Sequence, residues 1–141
     1  FTVAHSVTLA LAALDVVKAP ASFVEPIIAA SIVAVAIENI FHPKYSFWRV
    51  LLVFGFGLIH GMGFAGALSE YNLPKSSFAI GLIGFNFGVE GGQLAVISLA
   101  TVCTFWVRDP SAYRRRIVIP FSALISALGL YWTLQRIFQT P

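Results

Sequence analysis

Histidine and glutamate side chains stand in this sequence with apolar residues on both sides of them. His5 lies in Thr2-Val3-Ala4-His5-Ser6, and His60 in Gly57-Leu58-Ile59-His60-Gly61-Met62-Gly63. Asn86, Glu90 and Gln93 follow one another at i, i+4 and i+7, the spacing that places all three on one face of a helix. Glu38-Asn39 sits near the end of a further apolar run. Neutral imidazole together with carboxylate suits borderline divalent metals such as nickel, cobalt, zinc or iron. The same groups suit a proton relay. A metal held by His5 and His60 could also activate water for an intramembrane hydrolase, with Glu90 as general base. Alternatively, the polar groups bond one another and lock helices together in a structural or accessory subunit.

The elements that must carry these residues are membrane helices. The chain has 141 residues, of which 58% are hydrophobic and 11% charged. A soluble domain carries about 45–50% apolar and about 25% charged residues, so one small core cannot absorb this excess. Apolar runs cover about 1–17, 23–41, 50–68, 78–107 and 117–138. Most reach the ~18 residues that read as a bilayer span, and strands of a membrane barrel would be ~10 residues of alternating polarity. We therefore expect an all-α, polytopic transmembrane bundle of about five helices, forming one domain over 1–141. The lipid bilayer is its first partner. Cys103 is the single cysteine, so internal disulfides and thiolate metal sites are excluded. Phosphate-binding loops, a Gly-x-Ser-x-Gly elbow and HExxH are absent from the sequence.

An ionisable group near mid-bilayer costs about 2.5–3.5 kcal/mol on insertion scales, so each calls for a partner or a water-filled path. At ~1.5 Å of rise per residue, His5, His60, Asn86 and Glu90 fall at similar depths, with Glu38 nearer one face. Gly57 with Gly61, and Gly84 with Gly88 and Gly92, form small-xxx-small stripes that let backbones approach. The expectation is that spans three and four pack on each other through these stripes and bring His60 towards Glu90.

The net charge of +3 resides in short loops, where it reads as topology and not as nucleic-acid binding. Lys44, Arg49, Arg108, Arg114, Arg115 and Arg116 lie on one side, against Lys18, Lys75 and Arg136 on the other. Loops 42–49 and 108–116, with Phe1, are thus expected in the cytoplasm and the C-terminus outside. Trp48, Tyr71, Trp106 and Tyr113 mark the interfaces. The apolar start at Phe1 is expected of a piece of a longer chain.

With these residues in view, the chain resembles the HupE/UreJ family of membrane proteins, in its larger bacterial branch. The matching segments are Phe1-Thr2-Val3-Ala4-His5-Ser6-Val7-Thr8-Leu9, Ala36-Ile37-Glu38-Asn39, Phe54 to Ala65 and Phe85 to Gln93. That family is associated with hydrogenase and urease accessory genes, and some members are regarded as nickel or cobalt permeases. The resemblance implies a multi-pass protein of the bacterial inner membrane that handles a divalent metal. His5, His60 and Glu90 would be its metal or relay groups, and Glu38, Asn39, Asn86 and Gln93 supporting polar groups. Family members typically carry an earlier helix with a His and an Asp-His pair, for which this chain has no matching segment.

Overall fold

The computed structural model describes residues 1–42, 44, 46–70 and 78–138, without the side chains of 66–70 and 78. All regular structure among them is helical, in five helices. These are α1 (Thr2–Ala13), α2 (Ala21–Phe41), α3 (Phe47–Glu70), α4 (Phe78–Thr104) and α5 (Pro110–Phe138). The last four are long and apolar enough to cross a membrane. With 12 residues, α1 is about 18 Å long, short of a ~30 Å hydrocarbon core. Tyr71 and Lys75 lie outside the described residues.

The early end of α1 has a local cause. Asp15 adopts a left-handed φ of 60°, a region that Asp tolerates better than most residues. The turn lets the Asp15 amide donate to Ala12 O at 3.1 Å and the Val16 amide to Leu11 O at 2.9 Å. This is the Schellman pattern, which satisfies the last carbonyls of a helix and stops it. Asp15 then pairs with Lys18 at 3.2 Å in an exposed turn.

α5 starts earlier than the apolar run implied, at Pro110, and so takes the arginine run out of the loop and into a helix. Asp109 caps it and Pro110 supplies a first-turn residue whose missing N–H costs nothing there. A five-residue π segment, Arg114–Val118, follows. Pro120 supplies its cause: it has no amide to give and its ring crowds the Arg116 carbonyl, so the coil widens just before it.

The Asp109 cap gives a pH prediction. Its carboxylate accepts from the Ser111 hydroxyl at 2.7 Å and from the amides of Ser111 and Ala112 at 3.2 and 3.1 Å. These bonds, the hydroxyl foremost, hold the carboxyl below its usual range. A lowered value means the cap contributes fully above about pH 4 and is lost as pH falls through that lowered value. Protection of the Ser111 and Ala112 amides from hydrogen exchange should drop on that descent. In Asp109→Asn, which caps without titrating, protection should not depend on pH in this range.

The helices pair out of chain order. α1 runs parallel to α3, with the Phe1 carbonyl beside Gly57 and His5 and Leu9 beside Gly61. α2 runs antiparallel to α5: Glu25 meets Arg136 at 3.5 Å, Val33 packs on Gly129, and Arg114 donates to Ile40 O at 2.7 Å. α2 and α3 join the two pairs, through Val24 and Ile28 against Gly63 and through Glu38 with Arg49. α4 touches chiefly α1, and Gly84, Gly88, Gly91 and Gly92 all face open space.

This corrects the expected pairing of spans three and four. Gly57 and Gly61 of α3 do receive a helix, but it is α1, whose Ala4 and Thr8 offer the small opposing surface. Lipid supplies no hydrophobic preference between two candidate faces, so the closest steric fit decides.

Candidate functional site

Phe1 lies beside Gly57, about 15 Å along α3 from Phe47, and so within the bundle at the depth of the histidines. Its ring packs on both of them. It stacks on His5 with centroids 5.7 Å apart and meets His60 edge-on at 5.3 Å. This aromatic bridge had no signal in the spacing, because a Phe in an apolar run looks like any lipid-facing residue.

His5 is completely buried, enclosed further by Phe64 at 5.4 Å and Phe85 at 6.4 Å. Neither of its ring nitrogens makes a hydrogen bond of ordinary geometry, although the Asn86 side chain lies close enough to interact with the ring. A neutral imidazole owes one N–H and one lone pair, and leaving buried polar atoms unmatched costs about 1–3 kcal/mol. His60 is held differently. Its Nδ1 lies 2.7 Å from Phe56 O, and since a carbonyl only accepts, Nδ1 carries the proton. The Nε2 lone pair is thereby left bare on the side of the ring away from the α3 backbone.

Asn86 joins this layer from α4. Its Oδ1 accepts from Ser6 Oγ at 2.7 Å and its amide donates to Leu82 O at 3.0 Å, which ties α4 to α1. Glu90 is exposed on α4. Gln93 lines a groove of about 530 Å³ with Phe1, Gly92, Val96 and Ile97. The structure therefore brings His5, His60 and Asn86 to one level around α1. Among the described residues, no three His, Cys, Asp or Glu side chains are grouped as a metal cage.

Glu38 and Asn39 sit lower on α2 and face different spaces. Asn39 lines a pocket of about 280 Å³ with His60, Phe1, Ser31 and Ser122. Glu38 lines a second one of about 530 Å³ with His42, Lys44 and Trp48. Glu38 Oε2 lies 3.3 Å from Arg49 Nε without the alignment of a straight hydrogen bond, so the two form a contact ion pair. Arg49 Nη2 also donates to His42 O at 3.0 Å. Arg49 was legible in the sequence only as a topology charge; its place opposite Glu38 follows from the short α2–α3 turn.

Taken together, four helices of membrane-spanning length and a surface rich in exposed large apolar side chains define a multi-pass membrane protein. The family model described as HupE / UreJ protein matches residues 1–136, and the chain belongs to that family. Comparison with curated proteins and with solved structures returned no match.

Proposed function

We propose that this protein is a permease for a divalent transition-metal cation, nickel first and cobalt next, in the bacterial inner membrane. Zinc is the further candidate. The observation that carries the reading is the pair of imidazoles sharing the Phe1 ring, one with both nitrogens outside any ordinary hydrogen bond and the other with a bare Nε2. Nitrogen donors of this kind suit nickel and cobalt, and family membership agrees with it.

A site with few protein ligands has the right weakness for transport, since an ion that is to leave must not be caged. In this reading His5 and His60 receive the cation in turn. Asn86 and Gln93 orient the coordinating side chains by hydrogen bonding, and Glu90 offers a negative charge along α4. Glu38 accepts the ion at the lower end, in competition with Arg49. The end that holds Lys44, Arg49 and Arg114 to Arg116 is the cytoplasmic one by the positive-inside rule.

Uptake of radioactive nickel and cobalt into proteoliposomes tests this. His60→Ala and His5→Ala should each lower the rate about tenfold or more while the protein still inserts, the loss typical of a ligand shell. Unchanged uptake in both variants would refute the assignment.

A further inference from the structure

The pocket where α2 ends and α3 begins is rich in hydrogen-bond donors. Its volume is about 530 Å³, and His42, Lys44, Ser46 and Trp48 stand around it. The Lys44 ammonium and the Trp48 indole N–H can only donate. Ser46 Oγ already accepts from the Trp48 amide at 3.3 Å, which leaves its hydroxyl proton to be given. Glu38 is the carboxylate in this lining, and Arg49 at 3.3 Å cancels its charge. Lys44 has no carboxylate partner among the described residues, and Arg114, which donates to Ile40 O, brings a further cation to the last turn of α2. Uncompensated positive charge with several donors suits an anion that carries several oxygens.

The space does not stop at the turn. Trp48 and Leu52 also line an apolar groove of about 210 Å³, which continues along α3 past Gly55 and Phe56 to Ile59. Trp48, Leu52, Gly55 and Ile59 fall at i, i+4, i+7 and i+11, on one face of the helix. The rise from Trp48 to Ile59 is about 17 Å, close to the ~15 Å of hydrocarbon in one leaflet. A Cβ at Gly55 would meet nothing within 4 Å, so the missing side chain keeps the groove open at its middle. Donors and positive charge at the membrane edge, with an apolar groove one leaflet deep beneath them, match the shape and polarity of a phospholipid.

We propose that this pocket and groove bind one anionic phospholipid of the surrounding bilayer. Its phosphodiester oxygens accept from Lys44, from the Ser46 hydroxyl and from the Trp48 indole, and one acyl chain lies along Leu52, Gly55 and Ile59. A free phosphate would use the upper part alone, so the groove decides for the lipid. Headgroup charge decides which lipid: a choline headgroup would set its own cation against Lys44 and Arg114, whereas a glycerol headgroup leaves the phosphate charge uncancelled. The bound lipid braces the connection between α2 and α3, which is where the two helix pairs join.

Native mass spectrometry of the full chain in mild detergent, with dioleoyl phosphatidylglycerol or dioleoyl phosphatidylcholine added, tests this. The wild type should retain one phosphatidylglycerol at concentrations where phosphatidylcholine is lost. Lys44→Ala should weaken that retention about fivefold, the share of one cation at a membrane surface. Gly55→Leu should weaken it as well, by filling the groove without a clash. Lys18→Ala removes the same charge at the other end of α2 and should leave retention unchanged. Equal retention of the two lipids by the wild type overturns the proposal. So does an equal effect of Lys44→Ala and Lys18→Ala, which would make net charge the cause. Wild-type retention in Gly55→Leu, or displacement of the lipid by glycerol phosphate, overturns it too, since either would leave a site for the headgroup anion alone.

Discussion

Gly61→Ala is expected to separate α1 from α3 and to cost about 3 kcal/mol, the upper part of the range for overpacking a tight contact. A Cβ at Gly61 would collide with Thr8 Oγ1, with the His5 carbonyl and with the Leu9 amide nitrogen, the last at 2.8 Å. Two of these three are backbone atoms, so no rotamer change relieves the clash. The neighbouring turn gives no slack, because a Cβ at Gly57 would meet Phe1 O at 2.8 Å and Ala4 Cβ at 3.0 Å. Since the collision is with His5's own carbonyl, relief must shift His5 relative to Phe64 on the same helix as Gly61. Thermal unfolding in mild detergent should show the loss of stability, and metal uptake should fall with it. Gly88→Ala is the control. Open space surrounds that glycine, so the variant should be no less stable than wild type and gain up to about 1 kcal/mol of helix propensity.

Arg49→Leu is the second large effect. The Glu38 side chain is 14% exposed and that of Arg49 25%, so the pair is mostly withdrawn from water. Removing the guanidinium leaves a carboxylate without a counter-charge at the membrane edge, and the His42 carbonyl without its donor. Breaking one partner of a buried pair costs about 3–5 kcal/mol, and the remaining exposure favours the lower end here. Leu at both positions should recover much of that loss, because the penalty belongs to the stranded charge and not to the absent bond. A double-mutant cycle on thermal unfolding reads this directly. If Arg49→Leu alone is as stable as wild type, water reaches Glu38 freely and the pair is only a surface contact.

What could be read from the sequence follows from what lipid selects. Length and apolarity mark α2, α3 and α4 closely, because a bilayer imposes both on a helix that crosses it. The intramembrane His5, His60, Asn86 and Glu90 stood out for the same reason: each is costly where it is. Partner choice was not legible. Both α3 and α4 carry glycines at four-residue spacing, and nothing in composition says that Ala4 and Thr8 of α1 fit the first stripe while the second stays bare. A soluble helix shows its buried side as an apolar stripe, whereas a helix in lipid is apolar all round. The start of α5 was legible in principle. Asp109-Pro110-Ser111 is a cap, a first-turn proline and a partner hydroxyl in order, but the three arginines that follow drew attention to topology instead. The Asp15 stop was hidden because the residue usual at that position is glycine.

The out-of-order pairing also dictates a schedule during synthesis. α1 has to wait for α3, and α2, which meets α3 through Gly63 and Arg49, has to wait for α5 to complete its packing. About 70 residues separate the end of α2 from the start of α5, which a ribosome adding roughly 5–20 residues per second makes in about 4–14 s. Throughout that interval α2 stands in the bilayer without the helix that later covers Ala29 and Val33. A nascent chain stalled after α4 would therefore hold α1, α2 and α3 already in contact, with the α5 face of α2 still bare. Quality-control proteases that sense an incompletely packed helix would find their target in the Ala29 and Val33 face of α2, and the arrival of the final helix would be the event that covers it.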